Sequence, residues 1–178
     1  MKNDLKEILF SEEEIQRRVK ELGAQITLDY RGKTPVLIGV LKGSFVFLAD
    51  LARYIDLECE IRFVTASSYG SSAITSGDIK IGTTFDYELA NRDVILIDDI
   101  LDTGETLTAL KDLISLRCPA SLRICAMLDK PARRKSPINA YYTGFECPDE
   151  FVVGYGLDFA EHYRNLPFIA SLKPEVYS

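Results

Sequence analysis

The sequence predicts an α/β fold built around a parallel sheet with helices on its faces. Two runs of residues, 36–41 and 94–97, are continuously apolar rather than alternating, which is typical of strands buried on both faces. Helical patterns separate the predicted strands, and each strand ends in a polar turn. In such folds ligands bind at the carboxyl ends of the strands, so a functional site is expected in these turns.

A capping box marks the start of the first helix. Ser11 is followed three residues later by Glu14, a pairing that satisfies backbone N–H groups at a helix N-terminus. Apolar residues then recur at helical spacing, at Ile15, Val19, Leu22 and Ile26. The pattern predicts a helix over residues 11–30.

The strand at 36–41 leads into a second turn and helix. It ends at Lys42 and Gly43, and Ser44 is in position to cap a helix that runs to Tyr54. A lysine at a strand end, beside a glycine that exposes the backbone, can hold a diphosphate. The spacing is equally compatible with Lys42 as an ordinary surface lysine.

Further strands are predicted over 60–66, 121–128, 140–143 and 151–153. After the first of these, residues 67–78 read SSYGSSAITSGD, a polar stretch too long for a tight turn. We expect a flexible hairpin or lid there, with an inert linker as the alternative. The only strong basic run, Arg133, Arg134 and Lys135, is expected to form a solvated face.

The central stretch is 94–107, VILIDDILDTGETL. Asp98 and Asp99 are expected where its strand ends, and Asp102 lies in the loop before an amphipathic helix. Gly104 and the free N–H groups of a helix N-terminus suit a phosphate. Four acids and no base between residues 94 and 110 would repel a bare polyphosphate. The acids are therefore expected to face sugar hydroxyls, Mg²⁺ or a proton in transit, so the ligand inferred is a sugar phosphate with metal.

Three other motifs that bind nucleotides or transfer phosphate do not match the residue spacing of this sequence. A dinucleotide fingerprint needs three glycines, and only Gly104 is present in this turn. The tripeptide at 32–34 is similar to the end of a P-loop, but Thr27 occupies the position of its first glycine. A phosphotransfer site of the haloacid dehalogenase type needs D-x-D, whereas two residues separate Asp99 from Asp102.

The stretch at 94–107 resembles the 5-phosphoribosyl-1-pyrophosphate (PRPP) motif of the type I phosphoribosyltransferases. Segments LKGS (41–44), SSYG (67–70), LDKPARR (128–134) and DEFVVGYGLDFAEHYRNLP (149–167) are similar to those of bacterial hypoxanthine-guanine phosphoribosyltransferases. The match covers nearly the whole chain. It implies one domain over 1–178 with the type I fold, a central parallel sheet flanked by helices, and a small hood formed by N-terminal and C-terminal segments, the latter about 149–178.

The resemblance implies an activity. Members of the family transfer the phosphoribosyl group of PRPP to N9 of hypoxanthine or guanine in purine salvage. The reaction requires Mg²⁺ and gives IMP or GMP with pyrophosphate. A xanthine-preferring transferase is the alternative within the fold. A regulatory protein that senses nucleotides or binds RNA is another, which the set of Asp102, Lys42 and Arg164 disfavours.

Site residues carried over from the family form two groups. At the reacting ribose, Asp102 is the general base, and Asp98, Asp99 and Asp158 are the metal-contacting carboxylates. The 5′-phosphate is expected on Asp102, Thr103, Gly104, Glu105 and Thr106. Two departures matter: many relatives have Glu-Asp in place of Asp98-Asp99, so Asp98 reaches less far, and Glu105 adds negative charge beside the phosphate.

The second group holds the pyrophosphate, which leaves, and the purine, which accepts the phosphoribosyl group. Pyrophosphate is expected on Lys42, Gly43 and Arg164, with an unusual peptide geometry between Leu41 and Lys42. The purine is expected to contact Lys130 through its exocyclic oxygen, and Phe151 and Val152 through its face and edge, although the spacing of Phe151 alone favours a core aromatic. Ser68 and Tyr69 shield the sugar from water.

Bulk composition fits a small-molecule enzyme. The chain has 178 residues, a net charge of -6 and a pI near 4.9, which argue against nucleic-acid or membrane binding. The charged N-terminus lacks the pattern of a signal peptide, so a cytoplasmic location is expected. By resemblance the chain is expected to form a homodimer or homotetramer.

Overall fold

The computed structural model describes residues 2–67, 80–81 and 88–177. The strands are β1 (Leu5–Phe10), β2 (Val36–Leu41), β3 (Glu60–Ser67), β4 (Lys80–Ile81), β5 (Asp93–Leu101), β6 (Ser121–Asp129), β7 (Tyr142–Glu146), β8 (Val152–Val153) and β9 (Ile169–Leu172). The helices are α1 (Glu12–Asp29), α2 (Phe45–Tyr54), α3 (Glu105–Ser115) and α4 (Pro174–Tyr177), with 3₁₀ turns at Lys2–Asp4 and Pro131–Arg133.

The larger sheet confirms the predicted parallel architecture. Its strand order is β4-β3-β2-β5-β6-β7, with β4 antiparallel and the other five strands parallel. Alternate residues of β5 enter different cores. Ile95 and Ile97 pack with α1 and α2, whereas Val94 and Leu96 pack with α3. The continuous apolar pattern of this strand arises because both faces of the sheet are covered.

A second, antiparallel sheet has the order β1-β9-β8. It joins the beginning of the described chain to its end, since Leu5 pairs with Leu172 and Val152 pairs with Ser171. Phe151 directly precedes β8, and its carbonyl oxygen accepts a hydrogen bond from the Leu172 N–H at 2.8 Å. No helix in the described part of the chain has the length and apolar character needed to cross a membrane.

Two strands differ from their predicted bounds by more than one residue. β5 continues to Leu101, so Asp98 and Asp99 lie within the strand and not after it. The reason is the ladder with β6, which extends to the pair Leu101 and Asp129. The strand predicted over 140–143 lies at Tyr142–Glu146, where its pairing with β6 ends at Glu146.

The expected side-chain cap at Ser44 is wrong. Ser44 precedes α2, but its backbone is helical (φ -73°, ψ -7°) and its hydroxyl donates to the Val40 carbonyl at 2.6 Å. An extended residue is needed for a hydroxyl to reach back to the helix N–H groups. Ser44 therefore ties α2 to β2 and does not cap the helix.

At Ser11 the predicted capping box is confirmed, with the Ser11 hydroxyl accepting from the Glu14 N–H and the Glu14 carboxylate accepting from the Ser11 N–H. We expect Ser11→Ala to lower the free energy of unfolding by about 1 kcal/mol, measured by urea denaturation. Ser115→Ala is the control, because its hydroxyl bonds to the Lys111 carbonyl, a contact that does not favour the helix. Equal effects of the two substitutions would contradict the capping role.

Candidate active site

Polar turns from three parallel strands meet at one edge of the larger sheet. Lys42 and Gly43 follow β2, the acidic stretch from Asp98 to Asp102 ends β5, and Lys130 follows β6. Because β2, β5 and β6 are parallel neighbours, their carboxyl ends lie side by side. The predicted site residues on these strands are therefore brought together by the sheet itself.

Asp98 and Asp99 form an acidic pair, of which Asp98 is buried and Asp99 is half-buried. Asp98 is only 8% exposed, and its Oδ1 accepts a hydrogen bond from the Asp99 N–H at 3.0 Å. Gly43 lies directly against Asp99, and a Cβ atom at that position would overlap the carboxylate. Burial raises the pKa of both Asp98 and Asp99, and the charge of Asp99 raises the pKa of Asp98 further. This pair would bind a cation or hydroxyl donors favourably.

Because the pKa of Asp98 is raised, the ionised Asp98 side chain is expected to lower the free energy of unfolding. A carboxyl whose pKa is higher in the folded state than in the unfolded state destabilises the fold as the pH rises through that interval. Without Mg²⁺, we expect Asp98→Asn to raise the free energy of unfolding at pH 7 by about 1 kcal/mol. The gain should disappear at about pH 3, below the ordinary pKa of aspartate, where the Asp98 carboxyl is neutral in both the folded and the unfolded state. Urea denaturation at the two pH values tests this, with exposed Asp112→Asn as the control.

The turn that connects β5 to α3 has a backbone geometry suited to an anion. Gly104 stands at the N-cap of α3 with a left-handed backbone (φ 83°), and a Cβ atom there would meet the side chain of Ile138. The Thr103 hydroxyl accepts from the Glu105 N–H at 3.4 Å, and Thr106 lies in the first helical turn. N–H groups at a helix start favour a phosphate. Glu105 is exposed, and its carboxylate lies 3.9 Å from the Lys135 ammonium, which offsets part of its charge.

Asp102 has one buried carboxylate oxygen, Oδ1, with no hydrogen-bond partner among the residues that the structure describes. Its Oδ2 lies 3.7 Å from the Arg133 guanidinium. Buried polar atoms are nearly always paired in proteins, and exceptions often mark functional groups. Asp102 thus presents an acceptor that a substrate N–H or O–H could satisfy.

Arg134, the middle residue of the basic run 133–135, does not lie on a solvated face, so the prediction is wrong at this residue. Its side chain is 16% exposed and pairs with the carboxylate of Asp129. The guanidinium also donates to three backbone carbonyls, at 3.2 Å to Leu101, 3.0 Å to Asp102 and 2.6 Å to Ile138. Arg134 therefore holds the backbone of the acidic turn. Sequence spacing alone gives no sign of these carbonyl contacts, whereas its neighbours Arg133 and Lys135 are exposed as predicted.

Lys130 lies against the segment that contains Phe151. The Lys130 ammonium is buried, donates to the Glu150 carbonyl at 2.7 Å and lies 3.2 Å from Asp149. Phe151, which follows Glu150 in the chain, is 36% exposed. The alternative interpretation of Phe151 as a core aromatic is therefore wrong. Its ring stacks on Tyr177 with centroids 5.0 Å apart. The Val152 side chain is buried.

A third group surrounds the turn after β2. The Leu41–Lys42 peptide bond is cis, which confirms the expected unusual geometry. The Arg164 guanidinium donates to the Gly156 carbonyl at 2.8 Å and pairs with Asp158 at 2.8 Å. A Cβ atom at Gly156 would overlap the carbonyl of Gly43, so the Arg164 segment packs directly on the Lys42 turn. Ser68 and Tyr69 lie outside the described residues.

The carboxylates assigned to metal do not form a metal cage by themselves. Within ranges 2–67, 80–81 and 88–177, no group of three or more His, Cys, Asp or Glu side chains is arranged to hold an ion. Asp98 and Asp99 are adjacent, while Asp158 is paired with Arg164. A metal here would need ligands from a substrate as well.

Comparison with known proteins identifies the family. Residues 7–160 match the family profile described as Phosphoribosyl transferase domain. The chain is 51% identical over 177 residues to a hypoxanthine-guanine phosphoribosyltransferase of Bacillus subtilis, covering 99% of this chain and 98% of the relative. It is 52% identical to the enzyme of that name from Staphylococcus aureus strain Mu50, covering 100% and 99%.

Solved structures agree with the sequence relatives. The crystal structure of a hypoxanthine phosphoribosyltransferase from Staphylococcus aureus superimposes with a TM-score of 0.94 at 52% identity, covering 100% of this chain and 97% of that one. The fold and the sequence of the whole chain thus indicate the same family. The chain belongs to the phosphoribosyltransferase family, among the hypoxanthine-guanine phosphoribosyltransferases.

Proposed function

We propose that the chain transfers the phosphoribosyl group of PRPP to N9 of hypoxanthine or guanine, giving IMP or GMP and pyrophosphate. The observation that carries this proposal is the meeting of an anion-binding helix start with the unpartnered carboxylate oxygen of Asp102. A sugar phosphate bound at the helix would place a base beside that oxygen. The names of the full-length relatives support the same reaction.

Each part of PRPP has a matching part of the site. Backbone N–H groups from Asp102 to Thr106 hold the 5′-phosphate, and the carboxylates of Asp98 and Asp99 accept hydrogen bonds from the ribose diol. Lys42, the Gly43 backbone and Arg164 bind the pyrophosphate. Negative charge grows on the pyrophosphate as its bond to the ribose breaks, so cations placed there stabilise the transition state.

The purine is held between the second sheet and the end of β6. Phe151 offers a ring face, the Val152 backbone lies along the edge of the base, and the Lys130 ammonium donates to the exocyclic oxygen. These contacts align N9 with the ribose and lower the entropic barrier. Asp102 takes the proton that the purine ring loses as the new bond forms. We further propose that β1, β8 and β9, with residues about 149–178, form a hood over the base.

Mg²⁺ fits this site through the chemistry of its donors. Asp98 and Asp99 are adjacent carboxylates with raised pKa values, so a nearby cation would be favourable. They would hold Mg²⁺ directly or through water, with the phosphate oxygens of PRPP as further ligands and Asp158 as a third candidate. When bound, Mg²⁺ supplies charge neutralisation for the departing pyrophosphate.

Self-association into a homodimer or homotetramer stays a prediction. Large apolar side chains on β3 and at the start of α2 support it, since Ile61, Phe63 and Phe45 are each more than a third exposed. Light scattering on the purified protein would measure the mass directly. A monomer at micromolar concentration would contradict this prediction.

The reaction is tested by nucleotide formation from PRPP with hypoxanthine, guanine, xanthine and adenine, each with and without Mg²⁺. We expect metal-dependent product from hypoxanthine and guanine and little from adenine, which lacks the exocyclic oxygen. Product mainly from xanthine would move the assignment to the xanthine-preferring class. Measurable PRPP binding without product from any purine would favour a sensor.

A further inference from the structure

Glu161 contacts both cations of the proposed pyrophosphate site. Its Oε1 accepts a hydrogen bond from the Lys42 ammonium at 3.0 Å, and its Oε2 lies 3.5 Å from the Arg164 guanidinium. The bond from Lys42 lowers the pKa of Glu161, so its side chain is an anion at neutral pH. One carboxylate thus bridges the two side chains that are expected to bind another anion.

The backbone around Glu161 is unusual. Ala160, Glu161 and Tyr163 all have positive φ angles, of 51°, 65° and 76°. Non-glycine residues seldom adopt this conformation, which persists where the surroundings impose it and often marks a functional segment. Here the Glu161 N–H donates to the Asp158 carboxylate at 2.9 Å, and Phe159 and His162 exchange backbone hydrogen bonds. The turn directs Glu161 towards Lys42.

The bridge is accessible to exchange. The side chains of Lys42 and Glu161 are 67% and 65% exposed, so water and dissolved anions reach both. Exposed ion pairs are weak, and a multiply charged phosphate can replace a single carboxylate. Arg164 would keep its contacts with Asp158 and Gly156 when Glu161 leaves.

We propose that Glu161 is an internal anion that occupies the pyrophosphate position between Lys42 and Arg164 and is displaced when the pyrophosphate end of PRPP binds. This inference rests on the proposed function of Lys42 and Arg164. Glu161 keeps the two cations together in the empty site, and it competes with every anion that enters. Its role is to tune binding, and it takes no part in the chemical step.

Competition predicts that removing the carboxylate tightens binding. We expect Glu161→Gln to lower the Kd for pyrophosphate in the presence of Mg²⁺ by about two- to fivefold, the range typical of an exposed ion pair. The gain should shrink at high salt, because exposed charges are screened. Titration calorimetry with pyrophosphate reads binding without turnover. Glu58→Gln is the matched control, since Glu58 is exposed just before β3, at the opposite end of the sheet.

A second variant separates this inference from the function on which it rests. Lys42→Ala should weaken pyrophosphate binding. If Lys42→Ala leaves the Kd unchanged, the pyrophosphate site itself is misplaced and the inference fails with it. If Lys42→Ala weakens binding while Glu161→Gln binds as the unaltered protein does, or more weakly, then Glu161 is no competitor and only the inference is overturned.

Discussion

Asp102→Asn is expected to lower kcat for nucleotide formation by about 10²- to 10⁴-fold, the usual contribution of a positioned general base. Asparagine has nearly the shape of aspartate but does not accept the purine proton. The fold should be unaffected, because Oδ1 of Asp102 has no hydrogen-bond partner among the described residues and Oδ2 lies 3.7 Å from the Arg133 guanidinium, beyond hydrogen-bond distance. The measurement is kcat with saturating PRPP and hypoxanthine, together with thermal unfolding of the same samples.

Asp112→Asn is the control for this experiment, since it removes the same charge from an exposed position on α3. Its kcat should match that of the unaltered protein. An Asp102→Asn enzyme that keeps more than about a tenth of the activity would exclude the assigned role, because that loss is below the range of general-base catalysis.

Arg134→Ala should reduce both stability and activity. The change removes a donor that the Asp129 carboxylate shares with three backbone carbonyls. These carbonyls belong to Leu101, Asp102 and Ile138. We expect the free energy of unfolding to fall by about 3 kcal/mol, as when one partner of a largely buried ion pair is removed. We also expect kcat/KM for PRPP to fall at least about tenfold, because a small displacement of a binding turn is costly.

Arg133→Ala provides the comparison, since Arg133 is the exposed neighbour with only long contacts to Asp102 and Asp149. Its removal should cost less than about 1 kcal/mol. Arg134→Lys should give an intermediate result, because lysine keeps the charge but lacks the planar set of donors. Equal unfolding energies for the two alanine variants would show that Arg134 does not hold the turn.

Local patterns were sufficient for most of the fold. The β2 boundaries and the Ser11 capping box follow from hydrophobic runs and short-range hydrogen bonding, which act within a few residues. The acidic turn could be predicted for the same reason, since strand, acids, glycine and helix are consecutive. Because β2, β5 and β6 are parallel, their carboxyl ends meet at one edge of the sheet, which brings Lys42 and Lys130 to the same edge as the acidic stretch.

Contacts between distant parts of the chain could not be predicted in this way. The sequence around Arg134 indicates a surface charge, and its contacts with the Asp102 and Ile138 carbonyls arise only in the folded chain. The extension of β5 likewise depends on its pairing with β6. The bridge from Glu161 to Lys42 joins residues 119 positions apart. Periodicity and motif spacing carry no signal for such contacts, which depend on tertiary packing.

A crystal structure of the protein with IMP would test the assembled site most directly. The account predicts the 5′-phosphate within hydrogen-bond distance of the N–H groups of residues 103–106. It also predicts the purine against Phe151, its exocyclic oxygen at Lys130 and its ring nitrogens facing Asp102. A phosphate bound away from the start of α3, or a purine remote from Phe151, would contradict it.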